Sequence, residues 1–142
     1  MVHALQRAGL RLRPGGILIS IRPHRIWQPS IAVVATGRRL PVTELLTGTF
    51  ESNLDSAEAA LERVVTEGWF TLAGIRAARW RTYLDRPSQM RTYLELITPP
   101  RPRFPPGARV RLNELWRSMP RGARIEVTEP LVMTALRRRR RT

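Results

Sequence analysis

The sequence predicts an α/β fold. A helical segment at the amino end leads through Pro14-Gly15-Gly16 into the apolar run Ile17–Ile21. Two long segments, one from Phe70 and one ending near Ala135, place apolar side chains at about every second residue, the period of a strand. Amphipathic stretches at helical spacing alternate with them, giving the order α-β-(hairpin)-α-β-α-α-β without internal repeats. A chain of 142 residues suits one domain with a modest core. The expected division is a single domain over residues 1–136 and a basic tail over 137–142, read as solvated and disordered.

Each element has its own local warrant. Val2–Leu10 reads as a short helix with Leu5 and Ala8 on one side and Gly9 weakening its end. Pro14-Gly15-Gly16 is a turn. The apolar run Ile17–Ile21, with Ser20 its one polar residue, is expected of a parallel strand covered on both faces. Ile31–Ala35 and Leu40–Val42 flank Thr36-Gly37-Arg38-Arg39, a hairpin or folded loop. Leu54–Gly68 is a helix: Asp55 and Glu58 have capping-box spacing, Gly68 is a stop, and Ala57, Ala60, Leu61, Val64 and Val65 share a face.

Phe70, Leu72, Ala78, Trp80, Thr82 and Leu84 alternate as a long strand, with Arg76 out of pattern and a bend expected at Gly74. Met90, Tyr93, Leu94 and Ile97 mark a helix with Pro87 in its first turn. Thr98–Gly107 is a proline-rich loop, either a stiff connector or a ligand for a recognition domain. Leu112, Leu115, Trp116 and Met119 lie on one helical face. Ile125, Val127, Leu131, Met133 and Ala135 form the last strand, which Pro130 marks as irregular or at an edge.

Composition narrows the function classes. Apolar residues make up 42% and charged residues 25%, a globular balance. No apolar run approaches the roughly 18 residues of a membrane span. The amino terminus lacks the apolar length and cleavage site of a signal peptide, so a cytoplasmic location is expected. With no cysteine, disulfides, thiolate metal sites and cysteine nucleophiles are excluded. The formal charge is +14, and every one of the 25 basic residues is arginine. Two readings of that excess stand open: recognition of nucleic acid or another polyanion, and a coding bias that replaces lysine throughout. The block Arg137–Arg141 carries the same alternatives of solvated tail and weak polyanion contact.

Chemistry-bearing motifs are few. His3 and His24 are the only histidines, and neither has a carboxylate at ligand spacing, so no metal site is expected. No serine sits in a nucleophile elbow, and no phosphate loop or dinucleotide fingerprint occurs. Arg13-Pro14-Gly15-Gly16 is a tight turn sooner than a ligand loop. The stretch Ile21–Trp27 leaves the carboxyl end of the apolar strand, where open α/β sheets bind ligands. His24 there is a candidate base or substrate contact, or a plain surface histidine. Arg22, Arg25 and Trp27 are candidates for an anion-and-ring contact on the substrate side.

The helix Val2–Leu10, the turn Leu12-Arg13-Pro14-Gly15-Gly16 and the strand Ile17–Ile21, followed by a helix and two long strands, resemble the distal half of a class I S-adenosylmethionine-dependent methyltransferase. The resemblance implies a partial Rossmann-like sheet: Ile17–Ile21 as the fifth strand, the strand from Phe70 as the sixth, the one ending near Leu136 as the seventh, and an inserted hairpin. It implies methyl transfer from S-adenosylmethionine as the ancestral activity, a step driven largely by positioning of the two reactants. The family's cofactor site, a glycine-rich acidic loop and a ribose-binding acid, belongs to the first half of the domain, which this sequence does not contain. No residue here is therefore assigned to the cofactor, and the isolated chain is expected neither to bind it nor to act alone.

Without a fourth strand beside it, Ile17–Ile21 would present an apolar edge prone to association. The expected partners are a second copy in a homodimer or a separate first-half polypeptide; otherwise the chain is expected to be poorly soluble. Two further readings remain: a small basic non-catalytic module binding nucleic acid or protein, and an independent subunit completing an enzyme in trans. A membrane is not among the expected partners.

Overall fold

The structure, a computed structural model, describes residues 1–48, 51–97 and 101–140. Its elements are α1 (Val2–Arg11), β1 (Ile17–Pro23), β2 (Ser30–Ala35), β3 (Arg38–Glu44), α2 (Glu51–Thr66), β4 (Phe70–Leu84), α3 (Gln89–Glu95), α4 (Ala108–Ser118) and β5 (Arg124–Arg138). This is the α/β order expected. Five strands form an open sheet with the hydrogen-bonded order β1-β5-β2-β3, and β4 also pairs with β5. No helix among the described residues is long and apolar enough to cross a membrane.

The chain divides into two compact units. The first comprises Met1–Arg25, Phe50–Ala78 and Leu131–Thr142. Here β1 pairs antiparallel with β5, from Ile17 opposite Arg137 to Pro23 opposite Leu131. Gly15, at a φ of +80°, makes the turn into β1 that few side chains would tolerate. The turn is tied to the end of β5: the Gly15 N–H donates to Arg138 C=O at 3.0 Å, and the Arg138 N–H to Gly16 C=O at 2.9 Å. Helix α2 ends in a Schellman arrangement, in which Trp69 N–H reaches Val64 C=O and Gly68 N–H reaches Val65 C=O, both at 3.0 Å.

The core of this unit is Leu61, Val64, Phe70 and Leu136, with Val2, Leu5, Leu12, Leu18, Val65 and Trp69 packed against it. Gly9 is buried, and a Cβ there would stand 3.2 Å from Phe70 Cζ. It is a packing glycine rather than a weakness at the helix end, and α1 runs on to Arg11.

The second unit comprises Ile26–Thr49 and Arg79–Pro130. The β2–β3 hairpin turns at Thr36-Gly37, with only Gly37 at positive φ, +73°, the conformation that a type II turn requires at its second central residue. A register shift lies between Ile31 and Ala32, near Pro41. β2 continues the ladder onto β5, Ser30–Val34 against Arg124–Thr128. Ile31, Val33, Ile125 and Val127 pack with Met90 and Leu94 of α3 and Leu112 of α4. Burial of each such side chain contributes about 1.5–3 kcal/mol.

Several expectations are corrected. β1 is antiparallel to β5, and its apolar run is covered on one face only: Ile17, Ile19 and Ile21 are 41%, 60% and 60% exposed. The apolar cover in the first unit comes from α1 and α2 on the Leu18 side. Helix α2 starts at Glu51, so Asp55 and Glu58 lie inside it and do not form a capping box. Pro87 precedes α3 instead of entering its first turn; its carbonyl accepts the Met90 N–H. β4 matches the expected span but is exposed over most of its length rather than alternately buried.

Pro130 does not place β5 at an edge, for β5 has three strand neighbours. It falls between the residues paired with β2 and those paired with β1, so its missing N–H interrupts neither ladder. The basic stretch begins within β5, and the Arg139 N–H donates to Trp69 C=O at 3.2 Å. Residues 141 and 142 of that tail, and 98–100 of the proline-rich loop, lie outside the described residues.

Candidate functional site

Arg22 and Arg25 meet in the first unit around one face of α2. Asp55 and Glu58, three residues apart, share that face. Arg25 Nη2 donates to Asp55 Oδ1 at 2.7 Å and to Glu58 Oε2 at 2.8 Å. Those bonds, Glu58 first and Asp55 second, raise the guanidinium's affinity for its proton further above its ordinary value. Arg22 is the more deeply set, its side chain only 10% exposed. Its Nη1 donates to the buried Thr134 hydroxyl at 3.0 Å, and its Nη2 stands 3.7 Å from Glu58 Oε1. The Arg22 Nε–H is buried without an acceptor among the described residues. Both arginines are thus neutralised by α2, which ties the end of β1 to the helix and leaves little charge for an external anion. His24 between them is half-buried.

Trp27 belongs to the second unit. The Arg79 guanidinium lies over its ring, 4.7 Å from the centroid, a cation–π pair. The pair borders a cavity of about 230 Å³ lined also by Gln28, Ser30, Glu44 and Thr128. Thr47 donates its hydroxyl to Gln28 Oε1. The cavity lining thus combines a cation, an anion, hydroxyls and an aromatic ring.

Two further polar clusters stand on the same unit. Glu126, almost fully buried on β5, accepts from Arg39 Nε at 2.9 Å, Tyr83 Oη at 3.2 Å and Thr128 Oγ1 at 3.4 Å, with Arg81 Nε at 3.8 Å. Burial pushes its carboxyl up, but the hydrogen bonds from Arg39 and Tyr83 and the two guanidinium charges outweigh it, so the group titrates below its ordinary value. Tyr93 donates to Glu129 Oε1 at 2.5 Å. Burial and that carboxylate push the phenol far up, keeping it a protonated donor. Arg124 stacks on Tyr83 at 5.4 Å and pairs with Asp85 at 3.3 Å.

No protein-family model matches this chain, and no curated protein or solved structure matches it either.

Of the four residues singled out from the sequence, Arg22 and Arg25 come together on Glu58, whereas Trp27 stands with Arg79. Sequence reasoning missed Glu126, Arg39, Arg79 and Tyr83. A charged residue inside the apolar alternation Ile125–Val127 was the one available signal for Glu126: a carboxylate flanked by buried neighbours in a strand needs partners.

Proposed function

We propose that this chain is the distal half of a methyltransferase-like fold, completed by a first half that would carry S-adenosylmethionine. The observation that carries the reading is the strand order around β5. β5 lies beside both β1 and β4 and is antiparallel to β1. The methyltransferase resemblance calls for the sixth and seventh strands to pair, and their counterparts β4 and β5 do so, with β2 of the inserted hairpin also on β5. A helix before β1 and another between β1 and β4 agree with it, and the β2–β3 hairpin is the insertion.

The residues present do not fit the cofactor. The cavity beside Trp27, about 230 Å³, is below the about 300–1,000 Å³ of drug-sized ligand sites. It also lacks the glycine-rich acidic loop on which the family holds S-adenosylmethionine. No methyl-transfer step is therefore derived from this chain; its own residues would shape the acceptor side, with Trp27 and Arg79 bordering that cavity.

The DNA preceding the Met1 codon tests the reading. A glycine-rich first half is expected there, in frame, one frameshift away or as a separate gene. Co-expression of the two parts should then transfer labelled methyl groups from S-adenosylmethionine where neither part does so alone. An unrelated preceding gene, with no transfer on co-expression, removes the reading.

A second reading, a basic module that binds nucleic acid, draws on Arg11, Arg13, Arg137, Arg139 and Arg140, none of which is ion-paired among the described residues. It requires tight binding to an oligonucleotide whose affinity falls steeply with salt.

A further inference from the structure

Two demands converge on β1. The first is its edge. β1 ends the strand order, so one of its sides has no strand partner among the described residues. The Arg138–Gly16 bond sets the phase of the ladder. Alternation then turns the backbone groups of Leu18, Ser20 and Arg22 towards β5 and those of Ile17, Ile19 and Ile21 outwards. The second demand is its face. The side chains of Ile17, Ile19 and Ile21 project from the side of the sheet opposite α1 and α2 and are 41–60% exposed. Half-buried Met133 and Ala135, opposite Ile21 and Ile19, extend that apolar surface. A strand with both an open edge and a bare apolar face marks an interaction surface.

Symmetry argues against a second copy. Antiparallel pairing of two β1 strands about a twofold axis normal to the sheet closes both edges, but sets the two isoleucine faces side by side and uncovered. A face-to-face dimer covers the isoleucines but leaves both edges open. Only a partner supplying a strand and an apolar covering element meets both demands. Charge specifies it further. At the amino end of β1, Arg13 and Arg137 stand without an ion-pair partner among the described residues, and Arg137 lies opposite Ile17. At the carboxyl end, Arg22 and Arg25 are neutralised by Asp55 and Glu58. The chain as a whole is +14.

We propose that β1 is extended by a strand of a different, acidic polypeptide, with carboxylates beside Arg13 and Arg137 and an apolar element over Ile17, Ile19 and Ile21. The inference rests on the methyltransferase reading only for the identity of that partner. Strand addition of this kind takes affinity from main-chain bonds and specificity from alternate side chains.

The probe is a synthetic peptide of alternating valine and threonine with aspartates at one end, added to the full chain; a twin carries lysines instead. The aspartate peptide is expected to slow amide exchange at Ile19 and Ile21, and to bind at least ~10-fold more tightly than its twin at low salt, the gap narrowing as salt screens it. Ile19→Asp should weaken capture ~10-fold while circular dichroism stays unchanged; Ile75→Asp, an exposed control on β4, should not. A discrete dimer in light scattering with Ile19 and Ile21 already protected overturns the proposal in favour of a second copy. Binding of an oligonucleotide but of neither peptide overturns it in favour of nucleic acid, and a monodisperse monomer that captures nothing overturns it outright. Peptide capture with no first half encoded nearby leaves strand addition standing and removes the methyltransferase reading. A first half that transfers methyl groups without slowing Ile19 exchange does the reverse.

Discussion

β1 and β2 are both rich in isoleucine, valine or leucine, and both pair antiparallel with β5, β1 along Leu131–Arg137 and β2 along Arg124–Thr128. Yet Ile31, Ala32 and Val33 of β2 are at most 1% exposed, while alternate residues of β1 stand open to solvent. β5 registers the same contrast: Ile125–Thr128 are all buried, and Leu131–Met133 only partly so. In the second unit the buried side chains of α3 and α4 pack with β2 and β5 in one core, and Glu126 with its arginines occupies the sheet as well. In the first unit the apolar cover comes from α1 and α2 on one side. Composition sets how apolar a strand is; what packs on it decides whether that apolarity is spent on stability or left for a partner.

The sharpest way to break this contrast is to cut into each core. Phe70→Ala removes the fully buried ring at the centre of the first unit and should cost about 3–5 kcal/mol in denaturant unfolding, with Ile125→Ala in the second unit costing about 2–5 kcal/mol. If Phe70→Ala cost no more than a surface change, the first unit would have no core of its own.

Glu126 comes next. Glu126→Gln leaves Arg39 without its anion and should destabilise by about 1–3 kcal/mol. The folded chain holds this carboxyl below its ordinary value, so protons bind the unfolded chain more readily. Its stabilisation is therefore complete above the ordinary carboxylate range and lost as pH falls towards the folded value. Melting curves from pH 7 down to pH 3 should show a steeper acid loss for the native chain than for Glu126→Gln. Equal slopes would mean that the ion cluster contributes nothing.

Smaller effects test the bare face. Ile19→Thr keeps the β-branched shape and should change stability by no more than about 0.5 kcal/mol, because the side chain is already mostly in water. A loss of several kcal/mol, measured at a concentration where the chain is monomeric, would mean that Ile19 is buried in solution. The least change is expected for Arg25→Ala, whose exposed guanidinium bridges Asp55 and Glu58 at the surface. Any difference in melting temperature should fade as salt is raised.

Much of the fold was legible in the order of residues. The Pro14-Gly15-Gly16 turn, the hairpin at Thr36-Gly37, the glycine stop at Gly68 and the limits of β4 all follow from local rules. The errors arose where a local pattern has more than one tertiary cause. A mostly apolar run such as Ile17–Ile21 suits a strand covered on both faces, but equally one that awaits a partner. Asp55 and Glu58 have the spacing of a cap, and the same spacing makes a two-carboxylate clamp inside a helix. Of the candidate site, the loop at Arg22–Trp27 was found, but its meaning was not, since an arginine in sequence carries no sign of whether an anion already holds it.

The sequence alone determined the succession of helices and strands, because turn chemistry and side-chain period act over a few residues. Only the tertiary structure decided which strands lie together, which faces are covered and which charges are neutralised. Arg25 finds Asp55 across 30 residues, Arg39 finds Glu126 across 87 and Arg22 finds Thr134 across 112. Pairings at such separations are selected by the packing of the whole chain, and no local pattern encodes them.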